Sequence, residues 1–256
     1  MTTDLPHTPE ANARKVARLV EHLARRCDGQ PVFLVDGDRT LSPRDTSRDL
    51  LDLAGIDHVA IKRRFQQEGY VFSAFRFHAA AHLGLGEARF DALCQEVSDA
   101  AVLHDGALRF LADAAAVGPT FIVSAGIPRI WSYVLARHGL PDVGVIGGIE
   151  PRQPYVFGRS EKGQVAAAFA RHASTVVAVG DSDVDAEMLR RADHAVVVVN
   201  HRQNVDLMPA VSGHPSLWQV VPQGQPHAGL PVLAFPAVAG LVTLGVTLPT
   251  EVHACL

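Results

Sequence analysis

Two aspartates, Asp36 and Asp38, stand directly after the apolar run Pro31 to Val35. Residues two apart in extended chain point the same way, so both carboxylates can face one crevice, with Gly37 letting the chain bend between them. Ser124 follows a second apolar run, Phe121 to Val123, and leads into Ala125 and Gly126. A hydroxyl beside free backbone N–H groups, that of Ala125 included, suits phosphate oxygens. Lys162, between Glu161 and Gly163, is a cation able to neutralise a phosphoryl group or a carboxylate. Asp181, Asp183 and Asp185 follow the run Val176 to Val179. Hard oxygen ligands from Asp36 and Asp181, with Asp185 as a further candidate, are what Mg²⁺ selects. Each piece has an ordinary alternative: a turn for Asp36-Gly37-Asp38, a helix cap for Ser124 or Asp181, solvated surface for Lys162. Asp36, Asp38, Asp181 and Asp185, four acids near the ends of two strands, would nevertheless raise one another's pKa values unless a cation sat among them.

Several elements must position these groups. Val16, Leu19, Val20 and Leu23 fall at helical spacing and predict a helix over 13–26, with residues 1–12 polar and frayed. Pro31 to Val35 is a buried strand. Between residues 41 and 102, apolar positions from Leu50 through Val59, Ile61, Phe65, Phe72 and Phe75 to His82 predict three or four short helices without strands. Strands then alternate with helices: a helix over 107–116, strand 120–123, helix 129–137, strand 143–146, helix 164–171, strand 175–179, helix 184–190 and strand 195–199. That alternation predicts an α/β fold, a Rossmann-like parallel sheet with helices on both faces. Open parallel sheets bind ligands at the carboxyl ends of their strands, where all four chemical segments fall. The core is expected from 1–41 and 103–256, with an α-helical cap inserted at 42–102.

The four segments, Asp36-Gly37-Asp38-Arg39-Thr40, Ser124, Lys162 and the Gly180 to Asp185 stretch, resemble the ordered motifs of the haloacid dehalogenase-like superfamily. The helical insertion, Ser124-Ala125-Gly126 and Lys162-Gly163 are similar to its phosphoserine phosphatase branch. The resemblance implies an Mg²⁺-dependent phosphatase acting on a small phosphorylated metabolite. Asp36 would be the nucleophile that becomes an aspartyl phosphate, and Asp38 the general acid and base. Mg²⁺ would be held by Asp36, the backbone carbonyl of Asp38 and Asp181, with Asp185 supporting that shell. Ser124, Ala125 and Lys162 would hold the phosphoryl oxygens. Asp38 disfavours dehalogenation, because dehalogenases of the superfamily lack a second aspartate two residues on. Transfer of the phosphoryl group to another alcohol uses the same residues, and a non-catalytic phosphate-binding module would be expected to have lost one of them. In phosphoserine phosphatases an acid nine positions after the nucleophile receives the substrate amine. That place is Asp45, which either binds a polar group of the substrate or caps a helix with Thr46. The cap arginine of that branch aligns with Ala79, and Arg76 lies about one helical turn earlier.

Other candidates are weaker. His78 and His82, four apart, lack a third metal ligand at suggestive spacing and fit cap packing better. Phe72, Phe75 and Phe77 fit cap packing, and Arg39, Arg129 and Arg159 flank the motifs as surface arginines unless an anionic substrate engages them. Trp131 and Trp218 carry no assignable role.

Composition narrows the class. The 256 residues are 48% hydrophobic with a formal net charge of −4 and no polybasic run, which supports a folded core and argues against nucleic-acid binding. Cys27, Cys94 and Cys255 lie far apart, as suits a reduced, cytoplasmic protein. Asp4, Glu10, Arg14, Lys15 and Arg18 leave no signal-peptide stretch near the start. No Lys, Arg, Asp or Glu occurs between Asp206 and Glu251, and Ala228 to Leu248 is nearly all apolar. Pro231, Pro236, Gly240 and Gly245 break that stretch, so it is expected to be a buried or subunit-facing part of the 207–256 extension, in a possible homodimer, and not a membrane anchor.

Overall fold

The computed structural model describes residues 5–151 and 155–243. Seven strands form one sheet in the order β3-β2-β1-β4-β5-β6-β7, every neighbouring pair parallel. They are β1 (Pro31–Val35), β2 (Thr120–Ser124), β3 (Gly144–Gly147), β4 (Thr175–Gly180), β5 (His194–Val198), β6 (Leu217–Val220) and β7 (Val232–Leu233). Alternation along β1 sends Phe33 and Val35 to one face of the sheet, and Val32 and Leu34 to the other. All four are fully buried because helices cover both faces. On one face α6 (Ala107–Val117) and α7 (Pro128–Arg137) supply Phe110, Leu111, Ile130 and Trp131. On the other, α1 (Pro9–Arg25), α8 (Arg159–Phe169) and α9 (Ala186–Arg190) supply Val16, Val20, Val165, Phe169 and Leu189.

Four helices leave the core between β1 and α6: α2 (Thr46–Ala54), α3 (His58–Glu68), α4 (Phe72–Leu83) and α5 (Glu87–Asp99). This is the expected strand-free helical insertion. α5 packs on α2 and on α7, which ties the helical layer to the sheet. Arg129 of α7 clasps Asp91 of α5 at 2.7 Å and also pairs with Glu150, while Tyr133 donates to Asp91 at 2.7 Å.

Three element boundaries differ from expectation for local reasons. α1 begins at Pro9 and not near residue 13, because Thr8 accepts from Ala11 N and proline suits the first helical position. Asn12, in the stretch expected to fray, is buried, with its amide donating to the Val156 carbonyl (2.9 Å) and to Glu161 (3.0 Å). α8 begins five residues early, where the Glu161 carboxylate turns back to accept from Gly158 N at 3.1 Å. The helix expected over 184–190 starts as a 3₁₀ turn, Asp183–Asp185, before α9.

The uncharged extension continues the core. β6 and β7 widen the sheet, with Trp218 on β6, and a 3₁₀ segment, Phe235–Thr243, buries Phe235, Val238 and Leu241 against the core beside α6. No helix among the described residues is long and apolar enough to cross a membrane. The end of the apolar stretch, and Cys255, lie outside the described residues.

Candidate active site

β1 lies between β2 and β4, so the residues that follow these three strands emerge side by side at one end of the sheet. The chain passes from β1 through β2 to β3, then returns to β4 on the other side of β1, making a switch point where side chains can enter a crevice. Asp36 and Asp38 follow β1, Ser124 ends β2, and Asp181 follows β4. Lys162 reaches the same place from the first turn of α8.

Asp36 is buried and fully engaged. Lys162 Nζ donates to its Oδ1 at 2.5 Å, and Thr40 Oγ1 donates to its Oδ2 at 2.9 Å. Lys162 Nζ also donates to Asp185 Oδ1 at 2.6 Å. The other Asp185 oxygen accepts from Asp181 N, Ser182 N and Ser182 Oγ at 3.0 to 3.2 Å. Asn200 holds Asp181 Oδ2 at 2.6 Å, and Asn204 donates to the Asp181 carbonyl at 2.6 Å. Carboxylate oxygens of Asp36, Asp181 and Asp185 lie within 4.8 Å of one another, which suits a hard divalent cation by donor type and crowding. The Asp38 side chain is not part of this cluster. Its Oδ1 accepts from Thr46 Oγ1 at 2.6 Å and Thr46 N at 2.9 Å.

Burial first, and charge crowding after it, sets the acidities. Burial, then the neighbouring Asp185, pushes Asp36 up to about 6 against the pull of Lys162. Burial and Asp45 push Asp38 up to about 7, against the Thr46 hydrogen bonds. Burial holds Asp181 well above the usual carboxylate range, partly offset by Arg39. Burial alone would discharge Lys162, but Asp185 and Asp36 beside it raise its pKa and keep it an ammonium.

Ser124 is buried and its Oγ accepts from Gly126 N at 3.0 Å. Gly126 has no room for a side chain: a Cβ there would fall 2.3 Å from Ser47 Oγ and 2.8 Å from Asp38 Oδ2. Gly37 is constrained by packing, since a Cβ would stand 2.3 Å from Trp131 Cε2. The glycine between the aspartates therefore accommodates the indole of Trp131, which the sequence had left without a role.

Asp36, Asp38, Gly126 and Lys162 open into a cavity of about 610 Å³ roofed by the helical insertion. Asp36, Asp38, Ala125 and Lys162 lie on its floor, and Ile61, Phe65, Tyr70, Phe75 and His78 come from the roof. Asp45 lies on the wall and caps α2 by accepting from Arg48 N at 3.2 Å, so the capping alternative holds in this structure. Arg39 enters the cavity from a left-handed backbone (φ 64°), 3.9 Å from Asp45 and 4.0 Å from Asp181. Arg76 is a correction. Its guanidinium turns to the N-terminal segment, where Nε donates to the Pro6 carbonyl at 3.0 Å, and it does not line the cavity. His78 and His82 do not form a metal pair: their rings pack edge to face at 4.6 Å, and both His82 nitrogens meet backbone carbonyls. Phe75 packs into the cap as expected, whereas Phe77 is exposed. Arg129 and Arg159 are held in ion pairs, Arg159 with Asp183.

Thr40, Thr46, Asn200 and Asn204 were not foreseen as site residues. Asn200 carried a usable signal, since it stands just beyond the apolar run of β5 at the same end of the sheet.

The model of the haloacid dehalogenase-like hydrolase family matches residues 33–190, which hold all of these groups except the two asparagines. The chain belongs to this family. No curated protein matches the sequence. Among solved structures, a haloacid dehalogenase family hydrolase (t0658) from Salmonella enterica serovar Typhi is 19% identical, with a TM-score of 0.54 over 82% of this chain and 77% of that one. A protein of unknown function from Bordetella pertussis Tohama I is 14% identical, with a TM-score of 0.59 over 81% of this chain and 99% of that one. A substrate-bound phosphoserine phosphatase is 16% identical, with a TM-score of 0.54 over 71% of this chain and 90% of that one. At such identities the likeness concerns the fold alone.

Proposed function

We propose that this hydrolase is a phosphatase that cleaves a small phosphomonoester through an aspartyl phosphate on Asp36. The observation that carries the reading is the pairing of two carboxylates two residues apart with different surroundings. Asp36 is held against the Lys162 ammonium, while Asp38, away from that cation, has an acidity near neutral pH. One is suited to attack and the other to carry a proton.

In the first step an Asp36 oxygen bonds to phosphorus as the ester P–O bond breaks, and Asp38 gives its proton to the departing alcohol oxygen. In the second, Asp38 takes a proton from water, the water oxygen bonds to phosphorus, and the Asp36–phosphorus bond breaks. Thr46 fixes Asp38 Oδ1, which leaves Oδ2 to carry the proton. Ser124, the Ala125 N–H and Lys162 hold phosphoryl oxygens as charge shifts among them. Asp36, Asp181 and the Asp38 carbonyl would hold Mg²⁺, with Asp185 behind them, and the ion would supply charge neutralisation for the phosphoryl group. Residues 42–102 act as a cap on the core of 1–41 and 103–256, screening the reaction from bulk water.

The test is a panel of phosphorylated sugars, alcohols, amino acids and nucleotides, assayed for inorganic phosphate with Mg²⁺ and with EDTA. Release that EDTA abolishes and Mg²⁺ restores supports the reading. A phosphorylated acceptor without free phosphate would make the chain a phosphotransferase, and turnover indifferent to EDTA would remove the metal from the account.

A further inference from the structure

The uncharged extension takes no part in the chemistry proposed above, yet it is tied to the acid cluster. Two asparagines of the loop 200–204, which follows β5, orient Asp181. Asn200 Nδ2 donates to its Oδ2 and Asn204 Nδ2 to its carbonyl, both at 2.6 Å. Asn204 is buried, and Gln203 and Asn204 both have left-handed backbone, φ 57° and 48°. Residues other than glycine keep that conformation where their surroundings hold it.

Residues 224–227 of the extension supply those surroundings. Gln203, oriented so that its nitrogen donates to the Gln225 carbonyl and its oxygen accepts from Gln225 N, makes both bonds at 2.8 Å. Gly224 permits the approach, since a Cβ there would stand 2.2 Å from the end of the Gln203 side chain and 2.9 Å from the Asn200 carbonyl. His227 closes the contact. Asn204 spends both amide hydrogens on the Asp181 and Val198 carbonyls, the latter at 2.9 Å, so its Oδ1 can only accept. His227 Nε2 donates to that oxygen at 3.3 Å. The segment is fixed to the sheet by Gln219 of β6, which is fully buried. Its side chain accepts from His227 N at 2.8 Å and donates to the His227 and Leu230 carbonyls at 2.9 and 2.8 Å.

We propose that this segment of the extension braces the metal-binding acid, with His227 a positioning residue that acts on Asp181 through Asn204 and sets the affinity of the site for Mg²⁺. In the phosphatase reading, on which this proposal rests, Asp181 is a ligand of that ion. Partners behind a metal's ligands fix their direction, and losing one typically costs about 10- to 100-fold in affinity or activity. His227 stands one residue further out, so the lower end applies. Without its donor, Asn204 Oδ1 is left unpaired, and the amide that holds the Asp181 carbonyl loses its anchor.

The test titrates the full chain, freed of metal, with MgCl₂ in a calorimeter. His227→Ala is expected to bind Mg²⁺ about 10-fold more weakly than wild type. His227→Gln, which puts an amide donor near the place of Nε2, is expected to stay within about threefold. Gln203→Ala, which cuts the other clasp, weakens binding in the same direction. Gln219 holds the backbone of His227 and not its ring, so the segment stays seated in His227→Ala; should that variant not fold, Gln203→Ala carries the same test. With a phosphomonoester the loss is expected as a higher Mg²⁺ requirement, with kcat recovered at saturating Mg²⁺. A role in stability alone would lower the Tm of His227→Ala and leave its Mg²⁺ affinity at the wild-type value. That result, or equal losses in His227→Ala and His227→Gln, overturns the proposal. A wild type that does not bind Mg²⁺ would overturn the metal part of the phosphatase reading and the brace together, whereas a wild type that binds it and a His227→Ala of equal affinity overturn the brace alone.

Discussion

Lys162 is the buried cation on which the acid cluster depends, and Lys162→Met isolates its charge while keeping a long side chain. In the structure its Nζ lies 2.5 Å from Asp36 and 2.6 Å from Asp185, with Asp181 in the same cluster. At an effective dielectric of about 20, each contact is worth roughly 6 kcal/mol of Coulomb energy, set against a burial cost of several kcal/mol per ion. Removing one partner of such a buried set costs about 3–5 kcal/mol. For a chain of this length that is a fall in Tm of roughly 6–20 °C. The deficit has a pH signature. Without the ammonium, Asp36 rises further above its ordinary value, because Lys162 is what pulls it down. A raised acid stabilises the fold while protonated and loses that contribution as pH rises through its folded pKa, so the deficit grows from pH 5 to pH 8. Thermal unfolding in EDTA across that range measures it. Mg²⁺ then replaces the lost charge and is expected to raise the Tm of Lys162→Met more than that of wild type. A variant as stable as wild type in EDTA at pH 8, or one that gains nothing from Mg²⁺, would mean that the acid cluster does not depend on the Lys162 charge.

Two further outcomes follow from side chains outside the acid cluster. Burial holds His82 below its ordinary pKa, so the folded state keeps it neutral where the unfolded chain is protonated, and its contribution is lost as pH falls below about 6.5. Replacing it with Asn should flatten the pH dependence of stability there by up to about 1.4 kcal/mol per pH unit, measured by denaturant titration at pH 7.5 and 5.5. Arg76→Ala should leave the ranking of substrates unchanged and lower Tm by releasing the N-terminal segment, since Arg76 holds the Pro6 carbonyl; an altered substrate ranking would place it in the pocket after all.

The core was legible because its chemistry sits at strand ends. Apolar runs locate β1, β2 and β4, and the residue after each run must emerge at one end of a parallel sheet, so Asp36, Asp38, Ser124 and Asp181 could be placed without coordinates. Lys162 was harder, since a lysine in a first helical turn is ordinarily solvated; only the packing of α8 against α1, with Asn12 and Glu161 joined behind it, turns it inward. Thr46 was illegible as a site residue. It lies in a cap helix whose approach to Asp38 is a tertiary fact with no local periodicity to signal it. Arg76 misled for the same reason: helical spacing fixes which residues share a face, not which neighbour that face meets.

In the proposed reaction Asp36 accepts the phosphoryl group. The most direct test of this step is acid quench of wild type during steady turnover of a phosphomonoester with Mg²⁺, followed by mass analysis of the peptide that contains Asp36. An added PO₃ unit is expected on Asp36, released by hydroxylamine and absent from Asp36→Asn, which should still fold, since Lys162 keeps Asp185 as a partner, and not turn over. A phosphoryl group trapped on another residue, or Asp36→Asn turning over at the wild-type rate, would contradict that role for Asp36.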